Sequence, residues 1–284
     1  MAKQINTKAG RFYEVEDEKY PSVTSILSVI GKPALINWAA KVEREMVLDV
    51  SADLYLDAPL EKMSKPAWIT TMQTRLGKAK ASAKELAKAA EIGSQAHSLI
   101  EWTLLSELVT APGPEPKISA KAGYAFAAWL RWRESVNLKP LLVEQVVWSK
   151  THRYAGTLDL LAEVNGILTV VDWKTGKAIY PEAFLQNAAY RHAIREMGHG
   201  DPKAGMIVRL PKLEGDPEFQ ASEAGEEESN LKIFLHAKKV WEWQQVFEEA
   251  YWEKRDEKQR EASGLETQQS RKDEGVQKEL LQKA

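Results

Sequence analysis

The sequence predicts an α/β fold, with a mixed central sheet built in the order α-β-β-β-α-β and flanked by extra helices. Three observations carry this. Asn165-Gly166 lies between two apolar, β-branched runs, a strong local signal for a two-residue hairpin turn. A third apolar run over residues 141–148 precedes the hairpin. Downstream, Pro181 opens a helix, as Pro does at the first helical position, and a further strand over 204–210 follows it. That last strand needs a crossover, whereas the hairpin is antiparallel, so the sheet is mixed.

Around this centre the elements follow in order. Residues 11–15 read as a short strand. Ser22 is placed to cap a short helix reaching Val29 and ended by Gly31. The hydroxyls of Ser22 and Thr24 are also candidate phosphate contacts, the cap being the simpler reading. Lys32-Pro33 opens a helix to about residue 50, with Leu35, Ala39, Val42 and Met46 at helical spacing and Trp38 assigned to the core. Residues 53–68, broken by Pro59 and Pro66, read as a connection.

Residues 75–108 turn helical and Ala-rich, as one helix or as two parted near Gly93. Glycine there costs roughly 0.5–1 kcal/mol against Ala, so it marks a break or a close backbone approach. Lys78, Lys80, Lys84 and Lys88 make this the most basic stretch, either tracking DNA phosphates or solvating a helix. Pro112, Pro114 and Pro116 form a stiff loop. Ser119 begins an aromatic-rich helix whose Trp129 and Trp132 are explained more simply by packing on a sheet than by base stacking. Residues 213–229 are acidic with no basic residue and read as a mobile loop. A long helix from 231 to about 260 docks through Phe234, Leu235 and Trp241. The tail beyond Gly264 is polar, with Val276, Leu280 and Leu281 as a weak amphipathic turn.

The hairpin register gathers charge. With Asn165-Gly166 as the turn, Val164 faces Ile167, Leu161 faces Val170, Asp159 faces Asp172 and Thr157 faces Lys174. Directly opposed residues share a face, with Cβ atoms roughly 4.5–5.5 Å apart, and Asp172 and Lys174 share one through the strand period of two. Apposed aspartates repel, and a divalent cation offsets that repulsion; Mg²⁺ commonly uses one or two carboxylates plus substrate phosphates. A solvent-facing hairpin with Lys174 neutralising one acid is the bland alternative. Glu144, the single acid in the preceding apolar run, is costly to bury unless paired or metal-bound. On the Pro181 helix, Gln186 and Tyr190 lie one turn apart on one face. His97 and Glu101 do so on the upstream helix.

Taken together, Gly93-Ser94-Gln95-Ala96-His97, Glu144, Ala155-Gly156-Thr157-Leu158-Asp159, Asp172-Trp173-Lys174-Thr175-Gly176-Lys177 and Gln186-Asn187-Ala188-Ala189-Tyr190 resemble the PD-(D/E)XK nuclease superfamily. The likeness is strongest to its RecB-like branch with phage-type exonucleases, and 20–27 resembles the start of the phage-type members. It spans roughly residues 20–210. Leu158 stands where the superfamily name implies Pro. The resemblance implies a restriction-endonuclease-like core and an Mg²⁺- or Mn²⁺-dependent deoxyribonuclease. It implies Asp159, Asp172, His97 and Glu144 at the metal, Lys174 as catalytic lysine, and Gln186 and Tyr190 at the site or the DNA. Thr175 and Lys177 are further DNA-contact candidates. The implied organisation is a mainly helical region 1–116 contributing His97, a nuclease core 117–212, the acidic loop 213–229, a docked helix 230–262 and a polar tail 263–284.

Composition bounds the rest. The 284 residues are 44% hydrophobic and 28% charged, ordinary for a soluble protein. There is no cysteine, hence no iron–sulfur cluster, disulfide or thiolate zinc site. Residues 1–4 lack the apolar stretch of a signal peptide, no run reaches membrane-spanning length, and a cytoplasmic location is expected. A net charge of -2 does not advertise DNA binding, but a nuclease needs only a local basic track. No Walker motif is present, so a helicase or recombination partner would be a separate chain. Exonuclease action is implied by resemblance alone. The rivals are a structure-specific endonuclease, a catalytically silent nucleic-acid-binding protein of the same fold, and a phosphoesterase acting on RNA or a small nucleotide.

Overall fold

In the computed structural model, residues 3–7, 9–57, 63–78, 80–108, 112–212, 215–216 and 218–263 are described. The central sheet has five strands in the order β4-β5-β6-β7-β8: β4 (Leu138–Ser149), β5 (Tyr154–Val164), β6 (Ile167–Thr175), β7 (Ala204–Leu210) and β8 (Gln220–Glu223). β6 and β7 pair in parallel and every other neighbour is antiparallel, so the sheet is mixed. α5 (Ala120–Glu134) precedes β4, and α6 (Pro181–Glu196) makes the crossover from β6 to β7. Asn165 and Gly166 have φ of 52° and 82°, the two positive values a tight primed turn needs, with Val164 opposite Ile167.

The strands are apolar on both faces because helices cover both. On one side Leu160, Ala162, Val171, Trp173 and Val208 pack against Trp129 and Trp132 of α5 and Ile100 and Leu104 of α4 (Ala81–Leu108). On the other, Leu161 and Val170 meet Leu185, Ala189 and Ile194 of α6 and Phe234 and Trp241 of α7 (Glu227–Ser263). Trp173 is the pivot. Its ring meets Trp129 and Trp132 edge-on, with centroids 6.3 and 5.0 Å away. Since neighbours on a strand point oppositely, anchoring Trp173 in this layer turns Asp172 and Lys174 to the other face.

Several expectations are corrected by packing. The short strand expected over 11–15 does not stand alone: β1 (Lys3–Thr7), β2 (Gly10–Val15) and β3 (Glu18–Pro21) form their own antiparallel sheet in the mainly helical N-terminal region. It is tied to β5 by a bridge between Ser22 and Ala155 and by a 2.9 Å hydrogen bond between the Tyr13 and Thr157 hydroxyls. α1 (Val23–Ile26), capped by Ser22 and continued by a 3-10 turn over Leu27–Val29, leads to α2 (Pro33–Asp57). α2 runs past residue 50, and Trp38 on it is half-buried, not core. α3 (Lys65–Leu76) begins with Pro66 in its first turn, where proline's missing N–H costs nothing. α3 and α4 are separate, with α4 continuous through Gly93. Glu43 of α2 accepts from the Ala81 and Ser82 amides, capping the start of α4 from across the interface.

The acidic segment is not one loop either. β8 extends the sheet by pairing Met206 with Glu223 and Arg209 with Gln220, and α7 starts at Glu227. Edge strands tolerate charge on their open side. Residues 213, 214 and 217 and the tail 264–284 lie outside the described residues. Among the described residues no single helix is long and apolar enough to cross a membrane.

Trp173→Ala tests the pivot. Removing a fully packed Trp is expected to cost about 3–5 kcal/mol, measured by denaturant unfolding, whereas Ile167→Ala at the half-exposed start of the same strand should cost far less.

Candidate active site

The ladder between β5 and β6 pairs Leu161 with Val170 and Leu160 with Val171, then stops. The expected pairings of Asp159 with Asp172 and Thr157 with Lys174 are not made. Instead Asp159 Oδ2 accepts the Trp173 amide at 2.7 Å, so a side chain takes the place of the next strand partner. Thr157 turns to Tyr13. On the other flank Glu144 interrupts β4 with φ of 46°, a left-handed conformation that costs a non-glycine residue about 1–3 kcal/mol. The sheet therefore opens at one end, and the opening is the cleft.

Into it converge His97 from α4, Glu144 from β4 and Asp159 from β5. His97 Nδ1 lies 3.7 Å from Asp159 Oδ1 and 4.0 Å from Glu144 Oε1. These three residues can each offer a ligand atom to one ion. Donors held roughly 2.1 Å from a common Mg²⁺ can be no more than about 4.2 Å apart, so the observed spacings fit. Asp172 is buried on β6, with Lys174 Nζ 2.7 Å from its Oδ2 and no hydrogen-bond partner for Oδ1 among the described residues. An orphaned buried carboxylate oxygen beside a cluster of oxygen donors suits a hard divalent cation.

Lys174 is held from both sides. Its ammonium also donates to Gln186 Oε1 at 3.0 Å, and Gln186 Nε2 donates to the Tyr190 hydroxyl at 3.2 Å. Tyr190 fits only because residue 156 is glycine: a Cβ there would come within 2.6 Å of the Tyr190 ring. Gly93 plays the same part on α4, where a Cβ would sit 2.7 Å from Thr175 Oγ1.

The crowded charges shift one another. Burial pushes the Asp172 carboxyl up to about 6, and Asp159 nearby adds to this while Lys174 opposes it. Burial likewise raises Asp159, with Glu144 reinforcing and His97 opposing. Burial pulls His97 down, but Asp159 and Glu144 outweigh it and leave the imidazole above its ordinary value. Lys174 is lowered by burial and raised more by Asp172 and Asp159, so it stays an ammonium at neutral pH. Burial, with Asp172 and Asp159 adding, lifts the Tyr190 phenol well above its usual range.

The other sequence candidates distribute unevenly. Ser22, Thr24 and Thr175 line the cleft, a cavity of about 630 Å³, within the roughly 300–1,000 Å³ of ligand sites. The Ser22 hydroxyl accepts from Ser25 N as a helix cap. Lys177 is exposed beyond β6. Lys84 and Lys88 line a groove between α2 and α4 with Trp38 and Met46, whereas the cleft is lined by Leu86, Ala89, Ala90 and Gly93 on the other side of α4. Lys78 and Lys80 are exposed on the connection before α4. Glu101 lines the cleft one turn beyond His97, its carboxyl raised by burial. Sequence reading overlooked Arg11 and Lys212, which also line it. Lys212 stands just past the carboxyl end of β7, where ligands of α/β sheets gather; that position was the available signal.

A sequence model of the PD-(D/E)XK nuclease superfamily matches residues 66–282. The chain belongs to that superfamily. Among solved structures, an alkaline exonuclease (LHK-Exo) from Laribacter hongkongensis is 12% identical, over 64% of this chain and 89% of that one, with a TM-score of 0.33. LHK-Exo in complex with dAMP is 13% identical, over 60% and 96%, at 0.35. SSO0001 is 13% identical, over 49% and 65%, at 0.23. No curated protein matches the chain.

Mn²⁺ or Mg²⁺ should raise the melting temperature, since a ligand of the folded state alone stabilises by about 2.7 kcal/mol at a hundred times its Kd. His97 and Asp172 must shed protons to bind a cation, so the gain should be small at pH 5 and grow as pH rises through 6 to 7.5. Without metal the sign is opposite. A carboxyl raised from 3.8 to about 6 contributes stability below pH 3.8 that is lost as pH rises through 6. Thermal melts with and without metal, with Asp159→Ala as control, measure both.

Proposed function

We propose that the chain is a Mg²⁺- or Mn²⁺-dependent DNA nuclease that hydrolyses phosphodiester bonds, of the RecB-like, phage-type exonuclease branch. The observation that carries this reading is the convergence, in one cleft, of His97, Glu144 and Asp159 with the chain Asp172–Lys174–Gln186–Tyr190. Asp159, His97 and Glu144 would hold the cation, with the unpartnered oxygen of Asp172 facing the same charge. Bound there, it supplies Lewis acidity towards a phosphoryl oxygen and lowers the pKa of a water.

The chain's own groups do the rest. Lys174 remains an ammonium, so it serves as an electrostatic clamp on charge developing at phosphorus and as a donor orienting the nucleophile, not as a general base. Gln186 fixes the ammonium's position, and Tyr190, protonated throughout the working pH range, fixes Gln186. A second cavity of about 630 Å³ shares Thr24, Thr175 and Gln186 with the first and is lined by Lys174, Tyr180 and apolar Leu27, Ile30 and Leu35. Two adjoining chambers, the second the more apolar, suit a polymer more than a mononucleotide.

A titration of Mg²⁺ and Mn²⁺ on matched linear and covalently closed DNA, single- and double-stranded, tests the proposal. Metal-dependent loss of linear DNA alone is expected, falling by at least about a hundredfold in Lys174→Ala through loss of the clamp. Cutting of closed circles would make the enzyme an endonuclease with the same site. Cleavage by Lys174→Ala and Asp159→Ala at the wild-type rate would overturn the assignment, and DNA binding without cleavage would leave a binding protein.

A further inference from the structure

The cleft is lined by three acids, Glu101, Glu144 and Asp159, yet the proposed substrate is a polyanion. Besides His97 and Lys174 of the site itself, the basic side chains lining it are Arg11 and Lys212. Lys212 is half-buried, and its ammonium donates to the Ala89 carbonyl of α4 at 2.6 Å. Among the described residues it has no carboxylate partner, and burial alone holds its pKa below the usual lysine range. A lysine ammonium carries three donors, and one carbonyl satisfies one of them. Withdrawing such a charge from water is unfavourable unless an anion arrives.

Gly93 lets α4 come close to the end of β6 here, and Gly93, Thr175 and Lys212 all line the cleft. The point that a Cβ of residue 93 would occupy is 2.7 Å from Thr175 Oγ1 and 3.9 Å from Lys212 Nζ. An uncharged hydroxyl and an under-used ammonium therefore line one stretch of the cleft beside Gly93, at the carboxyl ends of the parallel neighbours β6 and β7. Thr175 is the residue after Lys174, so this stretch of the cleft adjoins the proposed cleavage point.

We infer that Lys212 and Thr175, which line the cleft beside Gly93, form a phosphate-holding subsite that grips the backbone phosphate next to the scissile one. The inference rests on the nuclease reading above and deepens it. Lys212 is a positioning residue. It draws the strand against the acids, and Thr175 orients the phosphate by hydrogen bonding. The competing role, in which Lys212 only staples the end of β7 to α4, predicts a change in stability and none in the ionic character of binding.

The experiment measures equilibrium binding of an oligonucleotide across a salt series, in wild type and in an Asp159→Asn background that prevents turnover, with thermal melts of every variant. Adding Lys212→Gln should reduce the slope of log K against log salt by about 0.7 on single strands or about 0.9 on duplex, the release of one phosphate's counterions. Lys212→Arg should restore it. Thr175→Val should weaken binding without changing the slope, because a hydroxyl releases no counterion. Lys212→Met, which keeps the apolar stem, replaces Lys212→Gln if the amide disturbs folding. An unchanged slope in a folded Lys212 variant, with DNA still bound by the background protein, overturns the subsite and leaves the nuclease reading intact. No binding by wild type or Asp159→Asn at any salt overturns both.

Discussion

The crowding of like charges at one open end of the sheet is the constraint from which the rest follows. Glu144, Asp159 and Asp172 are brought close enough that burial and mutual repulsion raise both aspartates. Such a cluster is destabilising by itself, and only opposite charge makes it tolerable. His97 and Lys174 supply part of that charge, each raised above its ordinary pKa by the acids despite the cost of burial. One buried Asp172 oxygen still lacks a partner among the described residues. The protein maintains an incompletely neutralised site, which favours the arrival of a further positive charge.

The scaffold absorbs this cost by packing on both faces. The tryptophans of α5 lock Trp173 in place, and Asn187 of α6 donates to the Val170 carbonyl from the opposite layer. Between these layers β6 has little freedom, so Asp172 and Lys174 are presented rigidly. Glu144 is strained at the border of the cleft, and Gly93 and Gly156 permit close approaches beside it. A left-handed residue where charge converges is typical of sites in which geometry takes precedence over stability.

Much of the fold was legible because its signals are local. Asn165-Gly166 set the hairpin and its register as far as Leu160 and Val171, and Pro181 marked the crossover helix. What failed was non-local or ambiguous. The N-terminal sheet joins three short strands whose pairing is not written in any one of them. The acidic run gained a strand because β7 offered an unpaired edge, which composition cannot reveal. The lysines of α4 share a sequence neighbourhood with His97 but not a face: Lys84 and Lys88 turn towards α2.

The sequence by itself determined which residue types could do chemistry and their order along the chain, because strand and helix periods are short-range properties of the backbone. It placed Asp172 and Lys174 on one face, and Gln186 one turn from Tyr190. Only the tertiary structure decided how these groups meet. The ladder ends at Leu160 so that Asp159 can take the Trp173 amide, Glu144 adopts a left-handed turn towards the cleft, and Lys212 reaches it from 38 residues beyond Lys174. Each of these arrangements depends on packing between distant segments, whose free energy exists only once the layers have assembled.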